Sequence, residues 1–402
     1  MKKHLIAAAV AGAFAVPAMA QVTVSGFING SYDTFSISSK NSTRVGATSE
    51  NRVTDNSSRI IFSANEDLGG GMRAIAQFDL RFSIDQMSPI GPTDGTETTG
   101  NPVSGGNSHI GIAAPWGTVR LGRQDVQYVE GANFNPAGTA TIASHAGLLH
   151  SSGASTMGWA SRTPNLIWYV SPRVSGIQAT VGYSTNPSSA SSNIVQVEND
   201  LGKTGTGSRK GSGTLLKLDA SLGQLALVYS QIDNKTDYTG LAQGSGGVTG
   251  AGGTYTGKAQ PDQNGKILTA KYDIGGGLKV GVGHAQNESS VVLTGVATKR
   301  SVSQVGVGYA FGSNELAFTY TDASDRKAGG VKAVETGANA MSLVFAHNLS
   351  KRTQLAASYQ VLENDRNAND GLFYNGATVM SNVATLNGEK HSAISLGVRH
   401  SF

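Results

Sequence analysis

Few residue sets in this chain could carry out covalent chemistry. There is no cysteine, which removes thiolate metal sites, cysteine nucleophiles and disulfides, and suits passage through an oxidising compartment. After residue 20 the histidines are His109, His145, His150, His284, His347, His391 and His400. None has the His-x-x-x-His spacing that sets two imidazoles on one metal. Gly252 to Lys258 has phosphate-loop spacing, but Ala259 stands where a Ser or Thr would hold magnesium, with no strand-loop-helix pattern around it. No serine–histidine pairing stands out. The expectation is therefore no enzyme, no metal and no cofactor. What remains is fixed charge. Arg59, Arg73, Arg81, Arg120, Lys217, Lys271, Lys279 and Arg399 fall out of phase with their apolar neighbours, against Asp33, Asp79, Asp219 and Asp273 in the same phase. In a narrow passage with low-dielectric walls, such a basic surplus concentrates anions, and does so most at low salt. Lys217 with Asp219, and Lys271 with Asp273, are near neighbours that largely neutralise each other. The surplus is therefore rich in arginine and lies early in the chain.

A phase has meaning only on an alternating element, and period-two alternation is plain at the C-terminus. Ile394, Leu396, Val398, His400 and Phe402 share one face, and Ser395, Arg399 and Ser401 the other. The pattern repeats in Leu316, Phe318 and Tyr320, in Met341, Leu343 and Phe345, in Leu355, Ala357 and Tyr359, and from Val305 to Phe311. Short turns join these runs in pairs: Leu68 to Gly71, Pro115 to Gly117, Pro172 to Gly176, Gly223-Gln224, Gly275 to Gly277, Gly312 to Asn314 and Leu349 to Arg352. Between the hairpins lie long polar segments near 36–56, 86–106, 126–162, 185–211, 235–264, 287–300, 323–338 and 364–388. Seven short turns alternating with eight long loops require roughly sixteen strands, with both chain termini on the short-turn side.

Composition agrees. The chain has 53 glycines among 402 residues, 14% charged residues and a slightly negative mean hydropathy. A transmembrane barrel needs only every second strand residue apolar, and a closed sheet satisfies its own backbone in lipid. Tyr183, Tyr229, Tyr272, Tyr309, Tyr320, Tyr359 and Trp168 are in phase with aliphatic neighbours near strand ends, as an interfacial girdle requires. The fold expected is all-β: a sixteen-stranded antiparallel transmembrane β-barrel with short periplasmic turns and long extracellular loops.

Met1 to Ala20 has Lys2 and Lys3, an apolar stretch from Leu5 to Val16, and Ala18-Met19-Ala20. It is the pattern of a cleaved signal peptide, with the mature chain opening at Gln21. Two of the four excess positive charges are Lys2 and Lys3, so the remainder is near neutral and gives no reason to expect nucleic acid as a partner. Residues 21–402 form one barrel domain.

Four motifs in order, Val22-Thr23-Val24-Ser25-Gly26-Phe27-Ile28, Ser58 to Phe62 followed by Glu66 to Gly71, Gly117 to Arg123, and Gly397 to Phe402, resemble the trimeric general porins of Gram-negative bacteria, β-proteobacterial branch. The resemblance covers nearly the whole mature chain. It implies a homotrimer in outer-membrane lipid, a third loop folded into each lumen, and selectivity set by charges there. It also implies that Phe402, with Ile394, Leu396 and Val398, is read by the outer-membrane insertion machinery. Arg59 and Arg162 match constriction arginines of the family's anion-selective members, and Arg81, Arg120 and Arg73 join them by phase. A third arginine typical of those members is absent, since Asn107-Ser108-His109 stands there. The third segment holds only Asp125 and Glu130 as acids, and its tip, Asn133-Phe134-Asn135-Pro136, has none.

The function expected is passive diffusion of small hydrophilic solutes and ions, with a mild preference for anions. The alternatives are a solute-specific channel, for which Tyr169 and Phe134 are candidate interior aromatics, a barrel hydrolase, and a structural or adhesive barrel.

Overall fold

The structure is a computed structural model that describes residues 21–39, 48–85, 106–125, 145–152, 162–185, 187, 209–238, 262–290, 296–371 and 386–402. Residues 1–20, read above as a signal peptide, and the loop tip Glu130 to Pro136 lie outside them. The alternating runs form sixteen strands: β1 (Gln21–Ser39), β2 (Ser49–Asp55, resuming as Arg59–Gly69), β3 (Met72–Arg81), β4 (Ser108–Ala114), β5 (Gly117–Asp125), β6 (Arg162–Val170), β7 (Ile177–Ser184), β8 (Arg209–Leu222), β9 (Leu225–Tyr238), β10 (Gln263–Gly275), β11 (Leu278–Ser290), β12 (Ala297–Phe311), β13 (Asn314–Ala323), β14 (Ala338–Asn348), β15 (Thr353–Asn364) and β16 (Glu389–Ser401). Each pairs antiparallel with its sequence neighbour, and β1 pairs with β16 from Phe27 opposite Ser401 to Ser39 opposite Glu389, so the sheet closes on itself. Closure removes both edges, which lipid would not tolerate.

All seven expected turns join successive strands. At Gly275, Gly276 and Gly277 the backbone φ is positive, a conformation glycine enters without steric cost. Several strands run further than alternation suggests: β9 reaches Tyr238 and β11 reaches Ser290. The outward positions there are polar, as Gln286, Glu288, Lys299 and Ser301 illustrate. Above the lipid both faces are wet, so the hydrogen-bonded ladder continues after the hydrophobic signal has stopped. The segment after β13 carries a small hairpin, Lys327–Ala328 paired with Val331–Lys332.

The outward face is the lipid face. Ile394, Leu396, Val398 and Phe402 on β16 are exposed, as are Tyr183, Tyr272, Tyr309, Tyr320 and Tyr359. Trp168 corrects the girdle: it is buried and points inward, while Ile167 beside it is outward and 48% exposed. Tyr169, expected inside, takes the outer phase, stacks on Trp116 and donates its hydroxyl to the Trp116 carbonyl. Leu166 to Val170 is a five-residue apolar run with no alternation to read. The phase is set by Pro164, by Asn165 at φ 51°, and by the bulge they form, two residues between Thr163 and Leu166 against one between Gly122 and Gln124 on the facing strand.

Candidate functional site in the lumen

Strand β2 breaks at Asn56-Ser57-Ser58, and that break positions Arg59. The Asp55 carboxylate accepts from the Ser58 amide (3.1 Å), an Asx-type turn, and Ser57 takes φ 67°. Asn29 of β1 stitches the gap: its amide donates to Ser58 Oγ, its Nδ2 to the Asn56 carbonyl, and it accepts from the Asn56 amide. Arg59 emerges with Nε donating to the Ser57 carbonyl and Nη1 3.7 Å from Asp79. Arg81, opposite Arg59 in register, places Nη2 3.2 Å from the same carboxylate, which is 1% exposed. Arg123 follows Gly122, whose φ is 140° and beside which the ladder to β6 shifts register, and it lies within electrostatic reach of Asp125, Arg81 and Asp79. Strict alternation from Val119 and Leu121 would send Arg123 to the lipid, which is why the sequence reading missed it.

Asp125 is held where β5 ends, its amide donating to Asn107 Oδ1 and its Oδ2 accepting from Asn107 Nδ2. The Asn107 amide also donates to Asp79. The Asn107-Ser108-His109 stretch, which has no arginine, thus braces the carboxylates around which the arginines gather.

Aromatic rings hold the guanidiniums on this wall. Phe27 has Arg59 over its ring at 4.6 Å and Arg399 at 3.9 Å. Arg120 lies 5.9 Å from the Trp168 ring, whose other neighbour is the edge-on imidazole of His109 at 5.6 Å. Arg52 lies 5.1 Å over buried Phe35 and 3.6 Å from Glu50. Arg52 was missed too, because it falls in a stretch read as loop. Such contacts fix a guanidinium's plane without neutralising it. Arg73 takes the expected phase but is the second residue of β3, exposed at the turn end and opposite Asp67 in register, away from this group. Arg162 begins β6 opposite Asp125 in backbone register, and its side chain is outside the description. Two pairs elsewhere balance: Lys217 contacts Asp219 at 2.9 Å, and Asp273 faces Lys279 across the hairpin at 3.8 Å, where Lys271 was the expected partner.

The third long segment leaves β5 at Asp125 and is next described at His145–Ser152. That stretch lies inside the barrel, against β11 to β13, about halfway around the ring from β5. A short helix, α1 (Ala146–Leu149), places Leu148 and Leu149 in a buried cluster with Ile232, Ile267, Ala285 and Val302. His145 Nδ1 pairs with Thr321 Oγ1 at 2.8 Å, and burial pushes the imidazole down to about 4. A histidine held below its free value near 6.5 stabilises docking fully above about pH 6.5. That stability is lost as pH falls toward 4, by at most about 3 kcal/mol. Single-channel current noise is therefore expected to rise over that window and to stay flat in His145→Gln. The same acid response in both proteins would disprove it.

The family model of Gram-negative porins matches residues 7–367. The chain belongs to the Gram-negative porin family. Over the full length of both chains this porin is 27% identical to outer membrane porin protein 32 of Delftia acidovorans. Its fold is that of a solved anion-selective porin from Comamonas acidovorans, with a TM-score of 0.68, 22% identity, and coverage of 95% of this chain and 100% of that one. The trimer form of OmpT from Vibrio cholerae matches with a TM-score of 0.61 and 14% identity, covering 95% of this chain and 99% of that one. The porin sits in the outer membrane as a general diffusion channel for small hydrophilic solutes.

Proposed function

We propose that this channel favours anions mildly, and that the wall formed by β16, β1, β2, β3 and β5 sets the preference. The observation that carries this reading is the crowding of Arg59, Arg81 and Arg123 around one carboxylate, Asp79, with Arg120 and Arg399 laid on rings nearby. The relative described as an anion-selective porin supports it. Arg162 and the tip from Glu130 to Pro136, which contains Asn133, Phe134 and Asn135, complete the constriction in this reading.

The channel works as a homotrimer, in keeping with the trimer form among its structural neighbours. It is exported by a signal peptide cut after Ala20 and delivered to the insertion machinery by the face that ends in Phe402. It has no catalytic role, as befits a family of porins. Light scattering that gave one chain per particle would exclude the trimer, and a mature terminus other than Gln21 would exclude the cleavage.

In a planar bilayer under a potassium chloride gradient, the protein is expected to give discrete conductance steps and an anion-signed reversal potential. No steps would refute the channel, and a cation-signed potential would refute the preference. The inward aromatics Phe27, Phe35 and Trp168 are each covered by a guanidinium, which argues against an open aromatic track for one solute.

A further inference from the structure

The wall opposite the arginine group holds a charged side chain with no access to the passage. Arg300, on β12, has a side chain that is 0% exposed, and each of its nitrogens donates. Nη1 reaches both oxygens of Asp370 (2.9 and 2.8 Å) and Ser151 Oγ (3.2 Å), Nη2 the Thr336 carbonyl (3.1 Å), and Nε the Ser324 carbonyl (2.9 Å). Ser151 Oγ in turn donates to Asp370 Oδ1 at 2.8 Å. These partners come from three separate connections: Ser151 from the inward segment, Ser324 and Thr336 from the loop between β13 and β14, and Asp370 from the loop between β15 and β16.

Each connection is braced independently. Asn287, opposite Arg300 in register, donates Nδ2 to the carbonyls of Leu149 (2.8 Å) and Ser151 (3.2 Å). The amides of Thr336 and Gly337 donate to Asp325 Oδ1, and Lys332 reaches Asp325 Oδ2 at 3.1 Å. Asn364 accepts from the Asp370 amide and donates to its carbonyl.

We propose that Arg300 is the positioning residue of the constriction: one guanidinium fastens the inward segment to the wall and ties it to two outer loops, so that the three connections hold or release the passage together. Contacts from all three nitrogens to four partner residues, those of Nη1 sharing its two hydrogens, suit arginine's planar fork and not a point charge, so lysine is an incomplete substitute. A buried guanidinium whose carboxylate is removed has no water to turn to, which makes the contact all-or-none and not graded. A clamp of this kind sets the width of the passage without setting its sign, since the selecting arginines lie on the far wall. The inference rests on the channel reading for its consequence, but it can be tested without conduction.

The chain has no cysteine, so Ser152→Cys, a near-isosteric change at a buried position of the inward segment, gives one reporter thiol. With Arg300 intact, a charged thiol reagent is expected to react slowly. In Arg300→Ala and in Asp370→Asn the rate is expected to rise at least about tenfold, with Arg300→Lys in between. Folding is verified by resistance of the barrel to detergent unfolding at room temperature. Folded variants that label no faster than the parent would overturn the proposal, and so would Arg300→Lys labelling as fast as Arg300→Ala. In bilayers the released variants are expected to show larger, noisier steps with an unchanged reversal potential. A shift in that potential would instead make Arg300 a selectivity residue and overturn its assignment as a clamp.

Discussion

Changing Arg59 and Arg123 together to glutamine is expected to bring the reversal potential in a potassium chloride gradient to zero or to the cation side. Around Asp79 and Asp125 the wall carries three guanidiniums, and the double change leaves Arg81 alone against those two carboxylates. A unit charge acting on an ion about 4 Å away is worth roughly 1 kcal/mol in a water-like medium. Two charges lost from one bank of the passage are about 2 kcal/mol at that distance, and with screening and ions further from the wall the anion-to-cation permeability ratio should still fall by about tenfold or more. The effect should shrink between about 0.1 and 1 M salt, as the screening length falls from roughly 10 to 3 Å. Arg73→Gln, at the turn end of β3, is expected to leave the potential almost unchanged. Equal shifts in the two proteins would show that the whole lumen, not this wall, sets the preference.

Gly26→Val is expected to abolish the closed barrel. A Cβ at position 26 would lie 2.3 Å from the Arg59 carbonyl oxygen and 2.9 Å from Phe402 Cζ, against backbone on one side and the terminal ring on the other. Gly26 and Phe402 also exchange two backbone hydrogen bonds, at 3.1 and 3.2 Å. Overpacking usually costs about 1–3 kcal/mol, and this overlap falls at the seam, where relief means separating β1 from β2 or β16. The folded, detergent-resistant fraction should fall to a small part of the wild-type yield. Gly283→Ala is the control: its added Cβ meets Thr269 Cγ2 at an ordinary 3.4 Å, and its yield should match the parent. Normal yield of Gly26→Val would mean that the seam tolerates a wider spacing than its geometry suggests.

The barrel was legible because a membrane wall repeats one rule sixteen times. Six of the seven hairpin turns announced themselves by glycine, proline or asparagine between alternating runs, and Leu349 to Arg352 by a short polar break. Ile394, Leu396, Val398 and Phe402 showed their face without ambiguity. Legibility stopped where the rule is locally suspended. Arg123 follows Gly122, whose φ of 140° no alternation rule foresees and beside which the ladder to β6 loses register. Trp168 sat in a run apolar on both faces. Arg52 lay above the lipid, where an outer face no longer has to be greasy. Arg300 gave the sequence no reason to mark it out, because its acceptors Ser151, Ser324, Thr336 and Asp370 are brought to it only by three separate connections. Alternation predicts which way a side chain points, but not what it meets when it arrives.

The pairing of β1 with β16 also has a consequence in time. Every other ladder joins strands adjacent in sequence and can form once a single turn or loop has closed. The seam joins Phe27 to Ser401, so it spans almost the entire described chain and must wait until strands far apart in sequence have met. Until then the growing sheet has two open edges, each able to recruit a second chain. The sequence that makes the finished wall edgeless therefore makes its precursor the species most in need of an escort across the periplasm.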